Sequence, residues 1–158
     1  MNRIAMSLMS TLVLAALAVA APTGKTPELK LETLDGKTFD LAQERGHWVV
    51  LNYWATWCAP CRKEMPDLSE FHKSRKDARV LGLAFEETDA DDIKAFLKEH
   101  PVSYPVARLD VDNPPKDFDV PRGLPMTYLI APDGTVAERY LGPVTAAQLA
   151  ERIAKTAK

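Results

Sequence analysis

The sequence predicts an α/β domain with a mixed sheet covered by helices, and three features point to that class. Two apolar runs, Val49 to Trp54 and Val80 to Phe85, lack alternation, as strands covered on both faces of a partly parallel sheet do. Each is followed by apolar residues at helical spacing, so strands and helices alternate. Short strand pairs around tight-turn residues flank this region at both ends.

Leu29-Lys30-Leu31 and Thr38-Phe39-Asp40-Leu41 alternate around Asp35-Gly36 and predict an N-terminal hairpin. After the first apolar strand, Met65, Leu68 and Phe71 predict a helix from Ala59 to Lys73, bent at Pro66. The second apolar strand precedes a helix marked by Ile93, Phe96 and Leu97, with Thr88-x-x-Asp91 as its capping box. Tyr104 to Leu109 reads as a further strand, ahead of a passage containing Pro114, Pro115 and Pro121. Met126 to Ile130 and Val136 to Leu141 pair around Pro132-Asp133-Gly134. Thr145-x-x-Gln148 caps a last helix whose apolar face carries Leu149, Ile153 and Ala154.

The composition fits one such domain. A chain of 158 residues, 46% hydrophobic and 27% charged, buries a core without covalent staples. Its 20 Lys and Arg against 22 Asp and Glu lack the basic excess of a nucleic-acid binder. Two cysteines are too few for a disulfide scaffold.

The N-terminal segment reads as an address. Arg3 precedes an uncharged run from Ile4 to Gly24, Leu12 to Ala21 is wholly apolar, and Ala18-Val19-Ala20 offers a peptidase site. This layout predicts an export signal over residues 1–20, a linker over 21–28 and the folded domain over 29–158. The alternative is an uncleaved anchor, since Ile4 to Ala21 reaches the short end of a spanning helix, and only then would the protein meet a membrane. Either reading places the domain outside the cytoplasm.

Both cysteines fall in Trp57-Cys58-Ala59-Pro60-Cys61. A disulfide closing so short a loop restrains the unfolded chain by only about 2 kcal/mol, against about 4.7 kcal/mol for a hundred-residue loop. It is a poor staple. As a reagent it is well placed, because spacing i, i+3 at a helix start brings the sulfurs within bonding distance while free amides and the helix dipole stabilise a thiolate on the first. Cys58, exposed at the helix edge, is the expected nucleophile; Cys61, one turn in and more buried, resolves the mixed disulfide. Pro60 suits the first turn, where its missing N–H is not needed. His47, His72 and His100 are scattered, so neither a zinc site nor any other cofactor is predicted.

These residues resemble a known family. Trp54-Ala55-Thr56-Trp57-Cys58-Ala59-Pro60-Cys61, then Pro66, then Arg122-Gly123-Leu124-Pro125 ahead of a strand resemble a thioredoxin-fold oxidoreductase over roughly residues 29–155. The hairpin, the signal-like segment and the central strand-helix insertion are similar to the exported TlpA/ResA type, which includes the DsbE-related reductases of cytochrome c maturation. The resemblance implies a thioredoxin-like three-layer fold and a protein disulfide reductase acting on envelope proteins, with apocytochrome c among the candidates, refilled by a membrane dithiol donor. It implies that Pro125 is a cis-proline facing the disulfide and that Leu124, with Trp57 and Pro60 beside the dithiol, helps dock substrate. Glu64, three positions after Cys61, matches a family carboxylate that would accept the Cys61 proton. Asn52 stands where cytoplasmic thioredoxins carry a buried aspartate; it cannot titrate, leaving proton transfer to Glu64 or water.

Other readings stay open. The C-A-P-C sequence does not set the redox direction, so an oxidase or isomerase is compatible with it. Thiolates also select Cu(I), which makes a copper-binding or copper-delivery module the alternative from another class. Trp54 is assigned to the core, Thr127 and Tyr128 to a strand, and the acids Glu86, Glu87, Asp89, Asp91 and Asp92 to a helix start whose dipole they complement.

Overall fold

The computed structural model describes residues 26–156, so the predicted export segment lies outside the described residues. In chain order the elements are β1 (Lys30–Glu32), β2 (Thr38–Asp40), a 3-10 turn (Leu41–Glu44), β3 (Trp48–Trp54), α1 (Ala59–Ser74), β4 (Ala78–Ala84), α2 (Ala90–Glu99), β5 (Val106–Arg108), β6 (Met126–Ile130), β7 (Val136–Leu141) and α3 (Ala146–Thr156).

β3 is the middle strand of a five-stranded sheet ordered β5-β4-β3-β6-β7. It runs parallel to β4 and antiparallel to β6, and all seven of its residues are buried. Burial on both faces is why this segment shows no alternation. Trp48, Val50 and Trp54 pack in one apolar cluster with Met65, Leu68 and Phe71 of α1, Ile93 of α2, and Leu149 and Ile153 of α3. Val49, Leu51 and Tyr53 belong to a second cluster with Leu29, Phe39, Leu41 and Phe118, so the hairpin, the 3-10 turn and the proline-rich passage supply the third layer.

The N-terminal hairpin forms as predicted, with Gly36 at φ +78° in its turn, but as a separate two-stranded sheet tied to β5 by Leu34 N donating to Val106 O at 2.7 Å. β5 is shorter than the predicted 104–109 strand: at its start Pro105 has no N–H to donate, although its carbonyl accepts from Gly82 N (2.9 Å). The Thr145–Gln148 capping box is present: Thr145 N donates to Gln148 Oε1 (2.8 Å) and Gln148 N to Thr145 Oγ1 (3.2 Å). The box expected at Thr88 and Asp91 does not form. Helix α2 takes Asp89 as its N-cap, which leaves Thr88 one residue too early, and its hydroxyl bonds Asp92 instead.

Candidate active site

The carboxyl end of β3 delivers the cysteine turn. Cys58 N donates to Ala55 O (3.1 Å), and Cys58 then becomes the N-cap of α1 with extended backbone. Its sulfur accepts from Cys61 N at 3.3 Å, on the free amides that open the helix. Cys58 and Cys61 are joined in a disulfide of 2.02 Å, with Cα atoms 5.3 Å apart. Pro60 lies exposed in the first turn, where no hydrogen bond is lost.

Cys61 is fully buried and Cys58 is only 3% exposed, so the expectation of an open Cys58 is corrected. Its sulfur turns into the helix start, toward Cys61 and its amide, rather than toward solvent. The exposed member of the motif is Trp57, at 67%. Trp54, by contrast, is fully buried, as its core assignment requires.

A second loop reaches the same end of the sheet. Met126 pairs with Tyr53, one residue from the end of β3, and the Leu124–Pro125 peptide just before it is cis. Pro125 is buried, Leu124 half-buried, and Pro125 O accepts from Gly142 N (2.9 Å), which ties this loop to the end of β7.

Beneath lies a buried carboxyl. Glu64 is 3% exposed; its Oε1 accepts from Asn52 Nδ2 (2.8 Å) and its Oε2 from Val144 N (2.8 Å). Burial pushes its pKa up to about 7, and the two hydrogen bonds pull the other way. Asn52 Nδ2 also donates to Thr127 Oγ1 (3.0 Å) across the β3–β6 pairing. Thr127, a plain strand residue by sequence, therefore helps orient the amide that holds Glu64. The available signal was a pair of polar residues inside two otherwise apolar strands. Val144 could not have been found this way, because it contributes a backbone amide.

One acid of the 86–92 run also belongs to the site and not to a helix start. Glu86 precedes α2, and its carboxylate accepts from both Thr56 N (2.7 Å) and Thr56 Oγ1 (2.8 Å), in the turn before Cys58. Asp91 and Asp92 do occupy the first turn of α2.

Residues 22–139 match the AhpC/TSA family. The chain belongs to the AhpC/TSA family. It is 35% identical over 133 residues to the thiol-disulfide oxidoreductase ResA of Bacillus thuringiensis, covering 83% of this chain and 76% of the relative. To the ResA of Bacillus subtilis it is 36% identical over 121 residues, covering 75% and 66%. Among solved structures, a thioredoxin-family thiol:disulfide interchange protein from Chlorobium tepidum superposes with a TM-score of 0.69 at 27% identity, covering 87% of this chain and 98% of that one. StoA of Bacillus subtilis shares the fold, with a TM-score of 0.69 at 21% identity over 82% and 98% of the two chains. With the Cys58–Cys61 pair in place, this AhpC/TSA member is a thioredoxin-fold thiol-disulfide oxidoreductase. Among the described residues no helix is long and apolar enough to cross a membrane, and no group of three or more His, Cys, Asp or Glu gathers as a metal site.

Proposed function

We propose that the protein is an exported reductase of protein disulfides, acting on envelope proteins such as apocytochrome c. The observation that carries this reading is a helix-start dithiol with a buried carboxyl, titrating at about 7, one turn further along the same helix. In the reduced form the Cys58 thiolate attacks one sulfur of a substrate disulfide; that bond breaks, a mixed disulfide forms and the first substrate thiolate leaves and takes up a proton. Cys61 then gives its proton to Glu64 and attacks the Cys58 sulfur; the mixed disulfide breaks, the second substrate sulfur leaves as a thiolate that takes up a proton, and the Cys58–Cys61 disulfide forms. Two electrons pass from dithiol to substrate, and a membrane dithiol donor restores them. Trp57, Pro60, Leu124 and Pro125 frame the docking surface, with the loop before β6 offering backbone to an extended substrate segment.

Replacement of Cys61 by Ala tests this. The variant should accumulate mixed disulfides on Cys58 with envelope proteins, and the wild type should speed the reduction of insulin by dithiothreitol well above the rate with dithiothreitol alone. Failure of both, with Cys58 inert to alkylation near neutral pH, would sink the reading. Direction is tested separately by the equilibrium of the Cys58–Cys61 pair against glutathione, where a strongly oxidising poise would favour an oxidase or isomerase. Titration of the reduced protein with Cu(I) addresses the copper alternative: stoichiometric tight binding without disulfide reduction would replace the reductase.

A further inference from the structure

We propose that Glu86 is a positioning residue for disulfide exchange, whose carboxylate clamps the Thr56–Trp57 turn and so presents Trp57 beside the dithiol to protein substrates. The inference rests on the reductase reading and adds a docking device to it.

The turn runs from Ala55 to Cys58, closed by Cys58 N donating to Ala55 O, with Thr56 and Trp57 as its two middle residues. Every hydrogen-bonding group of Thr56 is held. Its amide and hydroxyl donate to the two oxygens of Glu86 at 2.7 and 2.8 Å, and its carbonyl accepts from Arg62 Nη1 at 3.0 Å. The grip comes from two directions, since Arg62 rides on α1 while Glu86 follows β4 at the point where Phe85 N donates to Trp54 O (2.8 Å). A carboxylate acceptor makes both Glu86 bonds stronger than neutral ones.

The turn is only partly open to water: Ala55 and Cys58 are buried and Thr56 is half-buried, so Glu86 both satisfies the Thr56 donors and fixes the backbone there. What the clamp supplies is direction. Trp57 has two-thirds of its surface in solvent, so packing does little to fix it, and its placement is set mainly by the backbone on either side. Ordering a large apolar side chain before a partner arrives lowers the ordering penalty at docking. Of the five acids in the run, Glu86 bonds the cysteine turn, while Asp91 and Asp92 sit on α2.

Two substrates separate docking from chemistry. In the full-length protein Glu86→Ala should lower kcat/KM for insulin reduction about tenfold, mainly through KM, the scale of one lost charge-assisted hydrogen bond. The rate at which dithiothreitol reduces the Cys58–Cys61 disulfide should stay near that of the wild type, because a small thiol does not need the indole rim. Glu86→Gln keeps an acceptor for the Thr56 amide and should recover most of the loss. On a Trp57→Ala background, Glu86→Ala should add little, since both changes remove the same contact. Equal losses with insulin and dithiothreitol, no loss with insulin, or additive effects of the two substitutions would overturn the clamp. A wild type that did not speed insulin reduction, together with a Cys61→Ala variant that trapped no mixed disulfide and a Cys58 inert to alkylation, would instead overturn the reductase reading itself.

Discussion

Replacing Glu64 by Gln removes the buried ionisation without touching either cysteine. Burial carries the Glu64 carboxyl from its ordinary 4.5 to about 7, against the opposing pull of Val144 N and Asn52 Nδ2. The folded protein thus holds this proton more tightly than the unfolded chain does. With the folded pKa raised, the contribution of Glu64 to stability is complete below about pH 4.5, declines as pH rises, and is gone once pH has passed about 7. At about 1.4 kcal/mol per pH unit the full loss is roughly 3 kcal/mol. Gln offers one acceptor oxygen where two N–H donors converge, so the variant carries a pH-independent deficit of about 1–3 kcal/mol from the unpaired donor. Urea unfolding of both oxidised proteins across this range isolates the titration, because the other groups cancel in the difference. That difference should move by roughly 3 kcal/mol in favour of Glu64→Gln from acid to alkaline pH. Stability curves that stay parallel would refute a proton held at Glu64, and an insulin-reduction profile unchanged by the substitution would remove it from the reaction.

Three further outcomes follow from the same contacts. Asn52→Leu deletes a hydrogen bond that favours ionised Glu64, so the inflection of the pH–rate profile should move upward; a downward move would take Asn52 out of the network. Gly82→Ala would bring a Cβ to 3.0 Å from Tyr104 Cε2 and 3.1 Å from Trp54 Nε1, and this overpacking should lower stability by about 1–3 kcal/mol in thermal unfolding. Thr145→Ala removes a cap that Gln148 reciprocates, and the urea midpoint should fall by the equivalent of about 1 kcal/mol at constant m.

The parts of the fold legible in the sequence are those governed by local periodicity and turn chemistry. β3, and β4 from Val80 onward, read as doubly covered because nothing polar interrupts them except Asn52, which holds the Glu64 carboxyl. The capping box predicted at Thr145 forms and the one predicted at Thr88 does not, since one residue of slippage in a helix start moves the N-cap to Asp89. Glu86 departs from its predicted helix-start role for a related reason. Within a run of acids, charge alone does not separate a side chain that faces a helix dipole from one that reaches across to a neighbouring turn.

The dithiol is a local motif, and its chemistry was set by the sequence itself: spacing i, i+3 at a helix start determines both the disulfide and which sulfur meets the free amides. Resemblance singled out Glu64, Leu124 and Pro125, and only tertiary structure decided what surrounds them. Glu64 titrates near 7 because α1 presses it against β3 and the residues after β7, where water is excluded and two donors converge. Cys58 proved nearly closed, and Thr56 is held by a carboxylate thirty residues away. Proton affinity, exposure and clamping depend on what long-range packing places within a few ångströms, and in this protein those neighbours lie on other strands and helices.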